Sequence, residues 1–110
     1  GETQDIIQLH GIKLDRVAHQ VFWDETSLPL TPTEYRLLET MMRQPGRAFT
    51  RNDLLNSAIG TDTIVLERTI DVHVRSLRQK LGEAAIAIET VRGIGYRFAR
   101  ELSPTRTENA

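Results

Sequence analysis

The segment from about residue 65 to residue 81 constrains the fold most, because its apolar residues repeat with the period of an α-helix. Ile70, Val74, Leu77 and Leu81 follow one another at intervals of four, three and four residues, and Gly82 comes directly after them. This spacing puts the four side chains within about 60° of one another on one helix face, and glycine is typical just past a helix end. The sequence therefore predicts a long helix that buries one face and exposes the other.

The exposed face of this helix carries mostly basic and polar residues. Opposite the apolar face lie Arg68, Val72, Arg75, Ser76 and Gln79, and the flanks hold Thr69, Asp71, Arg78 and Lys80. A solvated amphipathic face is the ordinary explanation of such a pattern. The same residues also fit the major groove of DNA, where arginine donates to guanine and valine contacts the thymine methyl group. Asp71 is spaced to hold the guanidinium of Arg68 or Arg75, to accept from cytosine, or to form an ordinary surface ion pair.

The charge of the chain is unevenly distributed. The 110 residues have a net charge of −1, yet residues 67–100 carry seven Lys and Arg against four Asp and Glu. Residues 1–66 carry six against nine. A basic half on a nearly neutral chain is compatible with a domain that binds a polyanion with one face.

Composition excludes several classes of protein. Because the chain has no cysteine, disulfide scaffolds, thiolate zinc sites and cysteine nucleophiles are excluded. No stretch approaches the roughly 18 apolar residues of a membrane helix, and the first residues lack the pattern of a signal peptide, so a soluble chain is expected. The chain starts at Gly1 and not at methionine, which suggests a processed product or a fragment of a longer protein.

Local signals place the other elements. Short β-type runs at 6–9, 12–15, 17–23 and 27–30 predict an antiparallel meander. Thr31-Pro32-Thr33-Glu34 is a capping box with proline at the first helical position, and that helix ends at Pro45-Gly46. Thr50 with Asp53 begins a second, shorter helix that ends at Gly60. Runs at 86–90 and 96–99 surround Arg92-Gly93-Ile94-Gly95, a hairpin whose glycines permit positive φ in the turn.

This order of elements predicts an α+β winged helix-turn-helix domain. A short capped helix, a brief connection, a long helix with a basic outer face and a hairpin with Arg92 and Arg97 follow one another. In this architecture the second helix of the pair enters the groove and the hairpin reaches the backbone or the minor groove. We expect residues 1–5 to be a linker, 6–102 the winged-helix domain and 103–110 a disordered tail.

Three separated segments then show a family resemblance. Leu30-Thr31-Pro32-Thr33-Glu34-Tyr35, the run from Arg68 to Leu81 and the run from Thr90 to Phe98 closely resemble the C-terminal effector domain of OmpR/PhoB-family response regulators. The resemblance covers about residues 6–100. It implies a four-stranded antiparallel N-terminal sheet, three helices and a C-terminal β-hairpin wing, in a cytoplasmic bacterial transcription regulator of a two-component phosphorelay system.

The resemblance also implies site residues. Phosphate contacts are expected for Arg68, Thr69, Arg75, Arg78, Thr90 and Tyr96, base-edge contacts for Asp71, Val72 and Ser76, and a minor-groove contact for Arg92. The loop Gly60, Thr61, Asp62, Thr63 and Ile64 resembles the segment with which the family contacts RNA polymerase. Ser76 stands where PhoB-type relatives have arginine, and Ala58-Ile59-Gly60 stands where they often have tryptophan before glycine, so the base preference is open.

The expected partners follow from the same resemblance. The resemblance implies an N-terminal receiver domain in the parent chain, and the residues before Ile6 leave no room for it here. This receiver is expected to dimerise and to place two effector domains on tandem direct repeats of double-stranded DNA. No membrane contact is expected.

An enzyme is not predicted. His10, His19 and His73 are isolated and lack metal-site spacing, and Gly93-Ile94-Gly95 lacks the third glycine of a nucleotide loop, so no cofactor or metal is expected. The alternative function is a winged-helix protein-interaction module that docks a receiver domain or an RNA polymerase subunit through its acidic residues 1–66.

Overall fold

A computed structural model describes residues 5–58 and 69–102 and begins with an antiparallel meander. Strands β1 (Ile6–Leu9), β2 (Ile12–Asp15), β3 (Gln20–Trp23) and β4 (Thr26–Leu28) pair in chain order. The register sets Leu14 opposite Val21, and both side chains are at most 1% exposed, so this face of the sheet belongs to the core. The predicted four-stranded sheet is thereby confirmed.

The third strand begins later than the predicted residue 17. The Asp15 carboxylate accepts hydrogen bonds from the amides of Val17 and Ala18, each at 3.0 Å. These bonds form a turn at the residues that were predicted to begin the strand. Val17 is 74% exposed and lies in this turn, although valine favours β-strands.

Both predicted helix caps are present. Helix α1 (Pro32–Met42) begins with a reciprocal box in which the Glu34 amide donates to Thr31 Oγ1 at 3.1 Å and the Thr31 amide to Glu34 Oε1 at 2.9 Å. Before helix α2 (Arg51–Ala58), the Asp53 amide donates to Thr50 Oγ1 at 3.0 Å. These caps satisfy amides that have no partner in the first helical turn.

Helix α3 (Thr69–Leu81) carries the predicted apolar face into the core. Ile70, Val74, Leu77 and Leu81 are each at most 1% exposed. They pack with Leu37, Leu38 and Met41 of α1 in one hydrophobic cluster that also contains Phe98. The predicted start of this helix near residue 65 and the predicted end of α2 at Gly60 lie outside the described residues.

The C-terminal hairpin is part of a three-stranded sheet. Strands β6 (Ile88–Val91) and β7 (Gly95–Phe98) form the hairpin, and β5 (Phe49–Thr50), which was not predicted, pairs with β7 so that the order is β5-β7-β6. Only Gly93 of the two hairpin glycines has a positive φ, at 78°. Gly95 is needed for another reason, because a Cβ there would lie 2.1 Å from the carbonyl oxygen of Phe49.

The predicted strand at residues 86–90 is also corrected. A 3-10 helical turn over Gly82–Ala87 follows α3 and buries Ala84 and Ala87, so the strand begins only at Ile88. In the described ranges, no helix is long and apolar enough to cross a membrane.

Candidate nucleic-acid interface

The outer face of α3 is open and carries an apolar residue between polar ones. Val72 is 65% exposed, and Arg75 and Gln79 are exposed as well. Their side chains point away from the core because each lies roughly half a turn from the buried stripe. This face has the size of one helix surface and can enter a groove about 12 Å wide, the width of the DNA major groove.

Ser76 does not share this outer face. It is half-buried, and its side chain interacts with the Glu34 carboxylate of α1. Lys80 donates to the same carboxylate, with its Nζ 2.7 Å from Glu34 Oε1. Helical spacing predicted that Ser76 lies opposite the apolar face. It is half-buried because α1 packs against one flank of α3, so that the buried part of the helix is wider than its apolar stripe.

Five residues join α2, α3 and the hairpin in one polar cluster, which we call the Asp71 cluster: Arg51, Asp71, Arg78, Thr90 and Tyr96. Asp71 Oδ1 accepts from Arg51 Nε at 2.8 Å and from the Tyr96 hydroxyl at 2.5 Å. Arg78 Nη2 donates to the Ile88 carbonyl at 2.8 Å and to Thr90 Oγ1 at 2.9 Å. The cluster therefore ties α3 to both strands of the hairpin and to α2.

The protonation states in this cluster are fixed by its hydrogen bonds. Burial alone would raise the pKa of Asp71, but the hydrogen bonds from Tyr96 and Arg51 outweigh it and lower that pKa. Burial and the hydrogen bond to Asp71 raise the pKa of Tyr96. At neutral pH the aspartate is therefore ionised, and the tyrosine keeps the proton that it donates.

Asp71 forms an ion pair, one of the alternatives that the sequence left open, with a residue that no spacing rule indicated. Its spacing suggested Arg75 or Arg68, of which Arg68 lies outside the described residues, and the described contact is with Arg51, twenty positions earlier in the chain. Arg51 has no motif that would mark it, since charged residues are common in the first turn of a helix. Its only sequence hint is its place directly after the capping Thr50.

The hairpin tip exposes the positive charge of Arg92, which has no ion-pair partner within residues 5–58 and 69–102. Arg92, Gly93 and Ile94 are exposed, and the turn closes through the Ile94 amide, which donates to the Val91 carbonyl at 2.9 Å. The Arg97 guanidinium pairs with Glu89 at 2.7 Å, so its charge is compensated within the hairpin.

The other predicted site residues are distributed as follows. Thr69 is half-buried at the start of α3, Thr90 is exposed, and Tyr96 is 6% exposed, so that only a small part of it reaches the surface. Arg68 and the predicted polymerase-contact loop Gly60–Ile64 lie outside the described residues.

Sequence comparison identifies the family. Residues 25–98 match the family described as "Transcriptional regulatory protein, C terminal". The phosphate regulon transcriptional regulatory protein PhoB of Pseudomonas aeruginosa is 44% identical over 100 residues, which are 90% of this chain and 44% of that protein. PhoB of Escherichia coli K12 is 42% identical over 99 residues, 88% of this chain and 43% of that protein. The chain thus spans less than half the length of these curated relatives.

Solved structures agree with this result. The DNA-binding domain of response regulator AdeR, in complex with an intercistronic region, superimposes with a TM-score of 0.76 at 38% identity, covering 86% of this chain and 99% of that one. The Klebsiella pneumoniae RstA DNA-binding domain, in complex with RstA box, gives 0.77 at 28% identity and covers 89% and 100%. With three helices, a four-stranded sheet and a hairpin wing, the chain belongs to the C-terminal effector domains of OmpR/PhoB-family response regulators.

Proposed function

We propose that this domain binds double-stranded DNA sequence-specifically as the output domain of a bacterial two-component transcriptional regulator. The observation that carries the proposal is the open outer face of α3, where Val72 is 65% exposed beside the exposed Arg75. The wing is tied to the same helix by Arg78. With α3 in the major groove, the wing can place Arg92 on the adjacent minor groove.

The contacts we propose differ in how well the structure supports them. Val72 and Arg75 are best supported, because both are exposed on the outer face of α3. Arg78 and Thr90 can still reach phosphates, since Arg78 uses only Nη2 in its described bonds and the Thr90 hydroxyl keeps a proton to donate. Ser76 is the weakest member of the base-contact set, because it lies half-buried beside Glu34.

Asp71 and Tyr96 have a double role in this proposal. Each forms hydrogen bonds within the domain. The described bonds of Asp71 all use Oδ1, so we assign Oδ2 as the acceptor for a base. Arg68, Thr69 and Arg92 complete the proposed contact set. The known complexes of AdeR with an intercistronic region and of RstA with RstA box support DNA as the ligand class.

The wider setting belongs to the same proposal and rests on the family. We place a receiver domain in the parent protein, tandem direct repeats in the operator and RNA polymerase at the loop Gly60–Ile64. The setting is the bacterial cytoplasm, and the winged-helix unit comprises residues 6–102. The family is a class of transcription regulators and not of enzymes, so we assign no catalytic activity.

Selection from random double-stranded DNA tests this function. The domain is incubated with the pool at low and at moderate salt, and the bound DNA is sequenced. We expect a short enriched motif, and repeats spaced by about one helical turn support the tandem arrangement. If nothing binds even at low salt, the outer face of α3 serves a protein partner, and the DNA-binding proposal is wrong.

A pair of variants assigns the binding to this face. Arg75→Ala removes a positive charge from the outer face of α3. Arg43→Ala removes the same charge from the end of α1, where Arg43 lines a groove between α1 and α2. We expect only the first variant to lose affinity for the enriched duplex, and equal losses would refute the assignment.

A further inference from the structure

One member of the Asp71 cluster, Arg51, has no role in the proposed contacts with DNA. We propose that Arg51 is a positioning residue that acts through Asp71 to hold α3 and the wing in one fixed arrangement. This inference rests on the proposed function and adds a residue that determines its specificity.

Arg51 contacts both residues of the hydrogen bond that links α3 to β7, Asp71 and Tyr96. Its Nε lies 2.8 Å from Asp71 Oδ1, the oxygen that also accepts from the Tyr96 hydroxyl. Its guanidinium carbon lies 5.4 Å from the centroid of the Tyr96 ring, within the range of a cation–π contact. Two donors on one carboxylate oxygen restrict the rotation of that carboxylate more than either donor alone. Arg51 therefore fixes the orientation in which Asp71 accepts from the wing.

The wing is attached to α3 by a second route that does not involve Arg51. Arg78 donates to the Ile88 carbonyl and to Thr90 Oγ1, and its guanidinium carbon also lies 5.4 Å from the Tyr96 ring centroid. Loss of Arg51 therefore leaves the wing attached and changes its orientation, which alters specificity more than folding.

The solvent exposure of the Arg51–Asp71 ion pair indicates that the pair contributes more in the DNA complex than in the free domain. The side chains of Arg51 and Asp71 are 35% and 41% exposed, and ion pairs of this kind contribute little to the stability of a free protein. When DNA covers the surface, water leaves and the same interaction strengthens. An unpaired Asp71 carboxylate on that surface would also repel phosphates. We therefore expect the effect of Arg51 in the complex and not in the free domain.

Three roles for Arg51 can be separated by substitution. A direct phosphate contact is a matter of charge, so Arg51→Lys would restore binding and Arg51→Met would reduce the salt dependence. If Arg51 only neutralised Asp71, its loss would cost no affinity once that charge is gone. The double variant R51M/D71N would then bind like the single variant D71N, which already lacks the proposed carboxylate contact with a base. A positioning residue predicts that R51K binds more weakly than the original domain and that R51M/D71N binds more weakly than D71N, because the planar guanidinium contacts are missing in both.

The experiment measures dissociation constants of these variants for two duplexes, one with the motif enriched by selection and one with its scrambled sequence. Relative to D71N, we expect R51M/D71N to lose roughly tenfold in affinity for the motif and less than about twofold for the scrambled duplex, typical of a coupling lost between neighbouring groups. Arg47→Met is the matched control, since Arg47 also stacks on an aromatic ring, that of Phe49 at 4.7 Å, and bonds a side chain, Gln44. It should bind both duplexes like the original domain, and all variants should unfold within a few degrees of it.

A second readout responds to the wing itself. If Arg51 orients the wing, Arg92→Ala costs less affinity in the R51M/D71N background than in the D71N background, whereas independent roles give additive losses. Additive losses, recovery by R51K, or equal binding by R51M/D71N and D71N overturn the inference while the proposed function stands. If the original domain enriches no motif and binds neither duplex, the proposed function and this inference fail together.

Discussion

Replacing Glu34 by glutamine tests how a buried charge stabilises this fold. Glu34 is 2% exposed, and its Oε1 accepts from the Thr31 amide at 2.9 Å and from Lys80 Nζ at 2.7 Å. Glutamine can keep the bond to Thr31, because a capping box accepts Gln as well as Glu. It loses the charge that pairs with Lys80, so the variant isolates the ion pair between α1 and α3.

The burial of the two partners sets the magnitude. In the side chains, Lys80 is 28% exposed and Glu34 is 3% exposed. Such a pair lies between an exposed one, worth about 0.2–1 kcal/mol, and a fully buried one, whose disruption costs about 3–5 kcal/mol. We expect Glu34→Gln to lower the free energy of unfolding by about 2 kcal/mol at pH 7, which corresponds to roughly 10 °C in Tm for a domain of this size.

The pH dependence has a definite sign. Burial raises the pKa of Glu34, but hydrogen bonds from Lys80, Ser76 and the Thr31 backbone outweigh it, and the pKa lies below its ordinary value of 4.5. A group with a lowered pKa in the folded state stabilises the protein above its unfolded-state pKa and loses this contribution as the pH falls through the folded-state value. The difference between the original domain and the variant should therefore be constant near neutral pH and shrink below about pH 5.

Urea denaturation followed by circular dichroism measures both effects, with Glu39→Gln as the matched control. Glu39 lies on the same helix and pairs with Arg16 at 3.0 Å, but the side chains of Glu39 and Arg16 are 22% and 32% exposed. We expect the control to lose less than about 1 kcal/mol. Equal losses in the two variants at pH 7, or a loss in Glu34→Gln that does not shrink in acid, would refute the reasoning.

Three further predictions concern the wing, the core and the interface. Gly95→Ala should lower the free energy of unfolding by about 3 kcal/mol, because the new Cβ would lie 2.1 Å from a β5 carbonyl oxygen. Gly93→Ala, at a φ of 78° in open space, should cost about 1 kcal/mol, and thermal unfolding that ranks the two glycines in the opposite order would contradict this. Tyr35→Phe should be neutral or stabilising by up to about 1 kcal/mol in urea denaturation, since the buried Tyr35 hydroxyl has no partner among the described residues; a loss of that size would reveal one. Arg75→Ala and Arg92→Ala should each weaken DNA binding by about 1–3 kcal/mol in a titration without changing Tm, and unchanged titrations would remove both from the interface.

The features predicted correctly from the sequence are mostly local. The capping boxes at Thr31 and Thr50 involve residues three positions apart, and the apolar stripe of α3 repeats every three or four residues, so neighbouring residues determine them. The meander at residues 6–28 is also formed by strands that follow one another directly. Local propensity and tertiary packing agree at these places, which makes them predictable.

The features missed depend on distant parts of the chain. Strand β5 has two residues and forms only because β7, more than forty positions later, pairs with it. The same contact explains Gly95. The sequence suggested that this glycine permits positive φ in a turn, whereas it lets the β5 backbone approach closely. A two-residue strand has no periodicity by which it could be recognised.

For the candidate site, the sequence predicted which residues of α3 are exposed better than it predicted which side chains contact one another. Val72 and Arg75 lie on the open face of α3 as expected, because helical spacing alone decides this. The partners of Asp71 and the burial of Ser76 depend on where α2, β7 and α1 pack around that helix. Arg51 was missed for the same reason, since no spacing rule connects it to α3.

The salt dependence of DNA binding tests the central claim most directly. The dissociation constant of the domain for the enriched duplex is measured from low to moderate salt. Because each phosphate neutralised by the protein releases counterions, about six phosphate contacts predict a slope of about −5 for the logarithm of the association constant against the logarithm of salt concentration. A steep slope of this size, reduced by about one unit in Arg75→Ala, is the result we expect. Binding that does not respond to salt, or no binding at low salt, would contradict a DNA interface formed by α3 and the wing.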